Sequence, residues 1–228
     1  SVWYPGQSAI SIKNIPSDGR PRSCATYLLL VADEKGDGVP TRLALKEEGQ
    51  TVLIGSEFTL PGAVALDKGL YVTNSNVTDV AITSGSGLGT ISGGVYTAGG
   101  QSGVERLQLS SPSLGVTGTS QLNIVSSLTV LTVSKKGSSN ALTSMTVKPG
   151  ERVQMAIAGS YWGRTALRSW KGVSVSASGD IGTVDENGLF TAGQSGGSGT
   201  ITVSAGGQTK TVKVTVKDTH ADVPQGHW

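Results

Sequence analysis

The sequence predicts an all-β chain made of two tandem β-sandwiches with a short extended segment at the N-terminus. Three observations carry this. First, the composition is that of a turn-rich β protein: of 228 residues 33 are Gly, aromatics make up 5% and charged residues 15%. Ser, Thr and Val recur throughout. β-Branched side chains suit a pleated surface, and Gly supplies turns with φ > 0. Second, a pattern returns after about 93 residues, which is too long for a solenoid unit and is the size of one small sandwich. Third, the stretch "KTVKVTVKD" (210–218) alternates so strictly that one face is buried and the other solvated. A mean hydropathy of −0.03 argues against disorder, because enough apolar surface exists to offset the entropy of ordering.

Residues 1–40 differ from the rest of the chain. "SDGRPRSCATYLLLVAD" (17–33) starts polar, turns basic and ends in an apolar strand. "YLLLV" left alone would be an aggregation-prone edge, so it is expected to pair onto the first sandwich. The first sandwich is expected over 41–127 and the second over 128–218. Residues 219–228 read as a linker and the start of another module. Within the repeat, "GTISGGVYTAGG" (89–100) matches "GTVDENGLFTAGQ" (182–194). Each reads as a strand, a tight Gly turn and a short strand ending Thr-Ala-Gly. Gly93-Gly94 and Asn187-Gly188 are dipeptides suited to two-residue hairpins. An apolar-aromatic pair comes after each turn, Val95-Tyr96 and Leu189-Phe190. "IGSEFTL" (54–60) matches "PGERVQM" (149–155), and "VAIT" (80–83) matches "VSVS" (173–176). "VERLQLSS" and "GTITVSA" are the next strands, "SQLNIVSSLTV" and "KTVKVTVKD" the last. Val77 falls roughly where the second copy has Trp170, and Trp170 is expected on the third strand of its sandwich, in the core. The passage between copies, through 122–135, is short, as stiff spacers require.

These motifs carry three resemblances. "LTSMTVKPGERVQM" (142–155), "LRSWKGVSVSASG" (167–179), the "GTVDENGLFTAG" hairpin and "GTITVSAGGQTKTVKVTV" (199–216) resemble bacterial immunoglobulin-like domains of surface proteins and invasin-type adhesins. The likeness spans about 41–217 and implies the immunoglobulin-like sandwich; the fold serves many roles. The final "DVPQGHW", with Asp222, Val223, His227 and Trp228, resembles the opening of an S-layer homology motif. It implies wall-binding modules beyond. "NIPSDGRPRSCATYLLLV" (14–31) resembles the closing segment of the phosphodiester glycosidase domain family, the group that includes the uncovering enzyme of mannose-6-phosphate tagging. Pro16, Ser17, Asp18, Gly19 and Arg22 carry that match. It implies an upstream catalytic domain in which Arg20 and Arg22 face a phosphate or decorate a turn.

Chemistry is sparse. The net charge is +2, from 18 basic and 16 acidic residues with no basic stripe, so nucleic-acid binding has no electrostatic support. No apolar run approaches the roughly 20 residues that span a bilayer. The chain starts at Ser1 with no signal peptide, which reads as a piece of a longer protein. Cys24 is the one cysteine, expected as a small buried apolar residue; the histidines, His220 and His227, lie far from it in sequence. "ADEKGDG" (32–38) looks briefly like a calcium loop, but Lys35 and Ala44 occupy positions that need oxygen ligands, so a solvated turn is expected. "GSGLGT" (85–90) lacks the spacing of a nucleotide loop. Asn76-Val77-Thr78 is a formal glycosylation sequon. Asp180, Asp185 and Glu186 surround a turn rather than a cleft. "GSYWGRTALRSW" (159–170) is aromatic, and Tyr161, Trp162 and Arg164 form a candidate glycan platform. No catalytic site, metal or cofactor is expected. The functional expectation is a non-catalytic spacer or presentation module of a secreted, wall-anchored bacterial protein whose parent carries a phosphodiester glycosidase domain. The alternative is a carbohydrate-binding or adhesin module using exposed aromatics. The expected partners are cell-wall polysaccharide or neighbouring domains of the same monomeric chain.

Overall fold

The structure, a computed structural model, describes residues 36–217. The described residues form nineteen strands and no helix. Ten come first: β1 (Arg42–Leu45), β2 (Gln50–Leu53), β3 (Glu57–Thr59), β4 (Ala63–Leu66), β5 (Val72–Val77), β6 (Ala81–Ser84), β7 (Gly89–Ser92), β8 (Val95–Ala98), β9 (Gly103–Ser111) and β10 (Val116–Val125). Nine come after: β11 (Val130–Lys135), β12 (Ser144–Val147), β13 (Arg152–Tyr161), β14 (Arg164–Leu167), β15 (Ser174–Gly179), β16 (Gly182–Val184), β17 (Leu189–Ala192), β18 (Gly197–Ala205) and β19 (Gln208–Val216).

The second set packs as two sheets, β11-β13-β17-β16 with β14 added on β13, and β12-β19-β18-β15. With β14 set aside, these strands read in chain order as A, A′, B, C, D, E, F and G. The sheets are then A-B-E-D and A′-G-F-C, the strand order of an immunoglobulin-like sandwich. The first set repeats it: β3-β8-β7 is B-E-D, and β2-β10-β9-β6 is A′-G-F-C. The described residues are therefore all-β and immunoglobulin-like twice over, as the sequence predicts.

Two apolar clusters are buried, one centred in each sandwich. In the first it includes Leu43, Val52, Tyr96, Leu107, Leu109, Leu122 and Ile124. In the second it includes Met155, Phe190, Ile201, Val203, Val212, Val214 and Val216. The alternation read from "KTVKVTVKD" puts Val212, Val214 and Val216 inward. Both aromatics after the Gly turns, Tyr96 and Phe190, are fully buried.

The copies differ between strands B and C. In the first sandwich this insert is the hairpin β4–β5, which pairs antiparallel onto β1 and extends the G-F-C sheet. In the second it is β14, which folds back on β13 and packs against β2 of the first sandwich.

Two local expectations need correction. Gly93 and Gly94, at φ 55° and 77°, do form a two-residue loop, with Ser92 paired to Val95. Asn187-Gly188 does not. There Asp185 and Leu189 close a three-residue loop in which only Gly188 has positive φ, 75°. The carboxylate of Asp185 explains it, because Oδ1 accepts from the amides of Asn187 and Leu189 and stabilises the longer turn. Trp170 likewise sits on the β14–β15 connection rather than on a strand, and is half-buried. It packs on the core from above the turn, its Nε1 donating to Met155 O at 3.3 Å. Gly188 makes room for the indole, since a Cβ there would meet the ring at 2.2 Å. Val77, aligned with Trp170 by sequence, instead ends strand β5 and is buried against the first core, and no described residue packs over Gly94, the counterpart of Gly188.

Candidate functional site

The end of the β13–β14 hairpin carries Tyr161, Trp162 and Arg164. β13 sends Val153, Met155 and Ile157 inward and then runs past the core, so its last residues face the junction with the first sandwich. Tyr161 pairs with Arg164, and Trp162-Gly163 form the turn with φ of 47° and 79°. A non-glycine residue in the left-handed region costs about 1–2 kcal/mol. Thr129 holds Trp162 there: its Oγ1 accepts from the Trp162 amide at 2.9 Å, while its own amide and hydroxyl donate to Ser160 O.

The three candidate residues are in different situations. Trp162 is 76% exposed. Tyr161 packs partly on the second core and lines a cavity of about 250 Å³ with Ser102, Gly103, Ser126 and Ser127. Arg164 is half-buried and turns toward the first sandwich, its Nη1 at 3.5 Å from Gly49 O. A larger open cleft of about 470 Å³ lies nearby, walled mostly by glycine backbone, including Gly55, Gly99, Gly172 and Gly206.

The carboxylates have structural employment. Glu105, fully buried, is absent from the sequence-based candidates. Its Oε2 accepts from Ser84 Oγ, Leu88 N and Tyr96 Oη, and its Oε1 from Ser86 N, all within 3.2 Å. "GSGLGT" is thus a loop that wraps the chain's own carboxylate. Burial raises the Tyr96 pKa above the usual tyrosine range, and the charge and hydrogen bond of Glu105 add to this. The signal was available: Glu105 stands in phase with Leu107 and Leu109, on the buried side of β9. Burial alone would raise the Asp67 carboxyl, but the amides of Tyr71 and Gly38 outweigh it and hold it below its ordinary value. Asp79 is held low by the Ser113 amide and the Ser111 hydroxyl, tying the β5–β6 connection to the β9–β10 turn.

Asp37, from the calcium-loop reading, accepts from Val39 N and lies 3.6 Å from Lys68 Nζ. Among the described residues no group of three or more His, Cys, Asp or Glu could hold a metal ion. No described helix is long and apolar enough to cross a membrane. Arg20, Arg22 and Cys24, with Asp222, Val223, His227 and Trp228, lie outside the described residues.

No family model matches the chain, and no curated protein matches it. Among solved structures, it is similar to domains 5–6 of the S-layer protein SbsC, with 17% identity over 78% of this chain and 97% of that one and a TM-score of 0.33. It is similar to a chimeric titin Z1Z2, with 16% identity over 78% and 98% and a TM-score of 0.30. The Yersinia pseudotuberculosis adhesin InvE shows 20% identity over 77% of this chain and 58% of that one, with a TM-score of 0.29. The immunoglobulin-like assignment rests on the strand order itself.

Proposed function

We propose that this chain is a non-catalytic spacer that presents a neighbouring domain on a bacterial surface. One observation carries the reading: the sandwiches stand in tandem, β10 and β11 are separated only by residues 126–129, and β14 rests on β2. A connection this short, with packing across it, sets the direction in which the chain leaves the second unit. The first unit spans 41–127 and the second 128–218. The resemblances at 14–31 and 222–228 support a phosphodiester glycosidase domain before the pair and wall-binding modules after it. On this reading the parent is a secreted, wall-anchored hydrolase.

The test is display on cells. A tag placed ahead of Ser1 in the parent is expected to be labelled by antibody on whole cells. Replacing 41–218 with a Gly/Ser linker should cut that labelling, and undiminished labelling would overturn the spacer role. A second reading has its own observation in the exposed Trp162. Tyr161, Trp162 and Arg164 would then hold a sugar ring of the wall polysaccharide. Titration with cell-wall oligosaccharide should quench Trp fluorescence in the wild type and not in Trp162→Ala. No change at millimolar ligand retires that reading.

A further inference from the structure

We propose that the two sandwiches are one cooperative folding unit, with β2 shared between both cores and Arg168 as the clasp. β2 has no solvent face. Val52 is fully buried in the first cluster, while its neighbour Leu53, pointing the other way, is buried in the second. Ile54, next in the chain, packs against both clusters. A tethered but independent domain keeps its apolar residues to itself; here one strand of the first sandwich completes the core of the second.

Arg168, just after β14, closes the contact. Its Nη1 donates to Thr51 O at 2.8 Å and its Nη2 to Gln50 Oε1 at 3.1 Å. The guanidinium also lies 4.8 Å from the centre of the Phe58 ring. One side chain of the second sandwich therefore grips two strands of the first. The planar fork of arginine suits this, and lysine cannot reproduce it.

The backbones fit as closely as the side chains. A Cβ on Gly172 would come within 2.8 Å of the Gly55 backbone, and one on Gly206 within 3.1 Å of the Leu53 side chain. Each unit also fixes its own edge of this contact: the Leu128 amide donates to Gly206 O at 2.8 Å within the second, and the Ile54 amide to Val125 O at 2.9 Å within the first. The equivalent of Leu53 in the second sandwich is Lys148, before Pro149-Gly150 as Leu53 is before Ile54-Gly55. Lys148 is exposed. Among the described residues, the apolar one of this pair is the one that a second sandwich receives.

The inference rests on the spacer reading for its purpose, but the purified chain decides it with no cell present. Native-state hydrogen exchange is measured across a denaturant series. The slowest amides of β9 and β18 are expected to share one opening free energy and one denaturant slope. Arg168→Ala should split them into two classes and speed exchange at Ile54 and Leu128 by about tenfold or more, since hydrogen bonds from a charged group are lost. Arg168→Lys should not restore the single class, and Trp162→Ala should leave it intact. If Arg168→Ala does not fold, Gln50→Ala, which removes one acceptor, decides by the same readout with a smaller acceleration. Two slopes in the wild type, or unchanged junction exchange in the folded variant, overturn the proposal.

Discussion

The same corner of the sandwich is closed in two chemically opposite ways. In the first copy Tyr96 meets Glu105 nine residues on, inside a shell of donors from the 84–88 loop. In the second copy the corresponding positions are Phe190 and Gly199, and no polar group is needed. Leu88 and Ile181 mark the equivalent loop position, each accepting through its carbonyl from the Gly after the hairpin, Gly99 or Gly193. Leu88 is only half-buried, whereas Ile181 is fully buried. A Cβ on Gly199 would lie 2.0 Å from the Ser178 carbonyl oxygen and 3.0 Å from the Ile181 side chain, so the second copy leaves no room there for a counterpart of Glu105. A charged group can stand in for a hydrophobic plug when a loop of the same length supplies the amides that satisfy it.

The comparison breaks hardest at its apolar end. Phe190→Ala should cost about 3–5 kcal/mol, measured by urea unfolding, because a fully buried ring leaves a cavity. Next, Glu105→Ala should cost about 2–4 kcal/mol, since the Ser86 and Leu88 amides and the Tyr96 hydroxyl lose their acceptor. Glu105→Gln should cost less, as one oxygen remains. Equal costs for Gln and Ala would show that both carboxylate oxygens are needed and that the retained shape and single oxygen contribute nothing.

Tyr96→Phe is smaller, about 1 kcal/mol near neutral pH. It also tests a pH dependence. Burial, then Glu105, raises the tyrosine pKa in the folded state. The folded chain therefore holds this proton more tightly than the unfolded chain does. The contribution is complete below the unfolded value of about 10 and is lost as pH rises above it. Melting temperature should fall above about pH 10 in the wild type and more gently in Tyr96→Phe. An identical alkaline slope in both would remove Tyr96 from the network. The smallest effect is expected at Trp162→Ala, within about 0.5 kcal/mol, because the exposed indole supports neither core.

What could be read from the sequence was local and periodic. The "SGGV" turn, the aromatic after it and the alternation of "KTVKVTV" each state their structure within a few residues, and Tyr96, Phe190 and Val212 are where those patterns put them. What could not be read depends on partners distant in sequence. Nothing in "AVAL" says that it will pair with β1, and nothing in "QTVL" says that Leu53 will enter another core. Trp170 was legible as a residue that packs but not as one that packs from a loop, since Gly188, which makes its seat, lies on a different turn. At the candidate platform the aromatic run announced exposure at Trp162; the turn of Arg164 toward Gly49 required the first sandwich in place.

One pairing bears on what the chain can withstand. In each sandwich a strand near the start runs parallel to the last one, β2 beside β10 through Gln50–Leu53 and β12 beside β19 through Ser144–Val147. Tension on the two ends would pull these neighbours in opposite directions along their length. Their hydrogen bonds would then be loaded in shear, several at once, instead of parting one by one like a zipper.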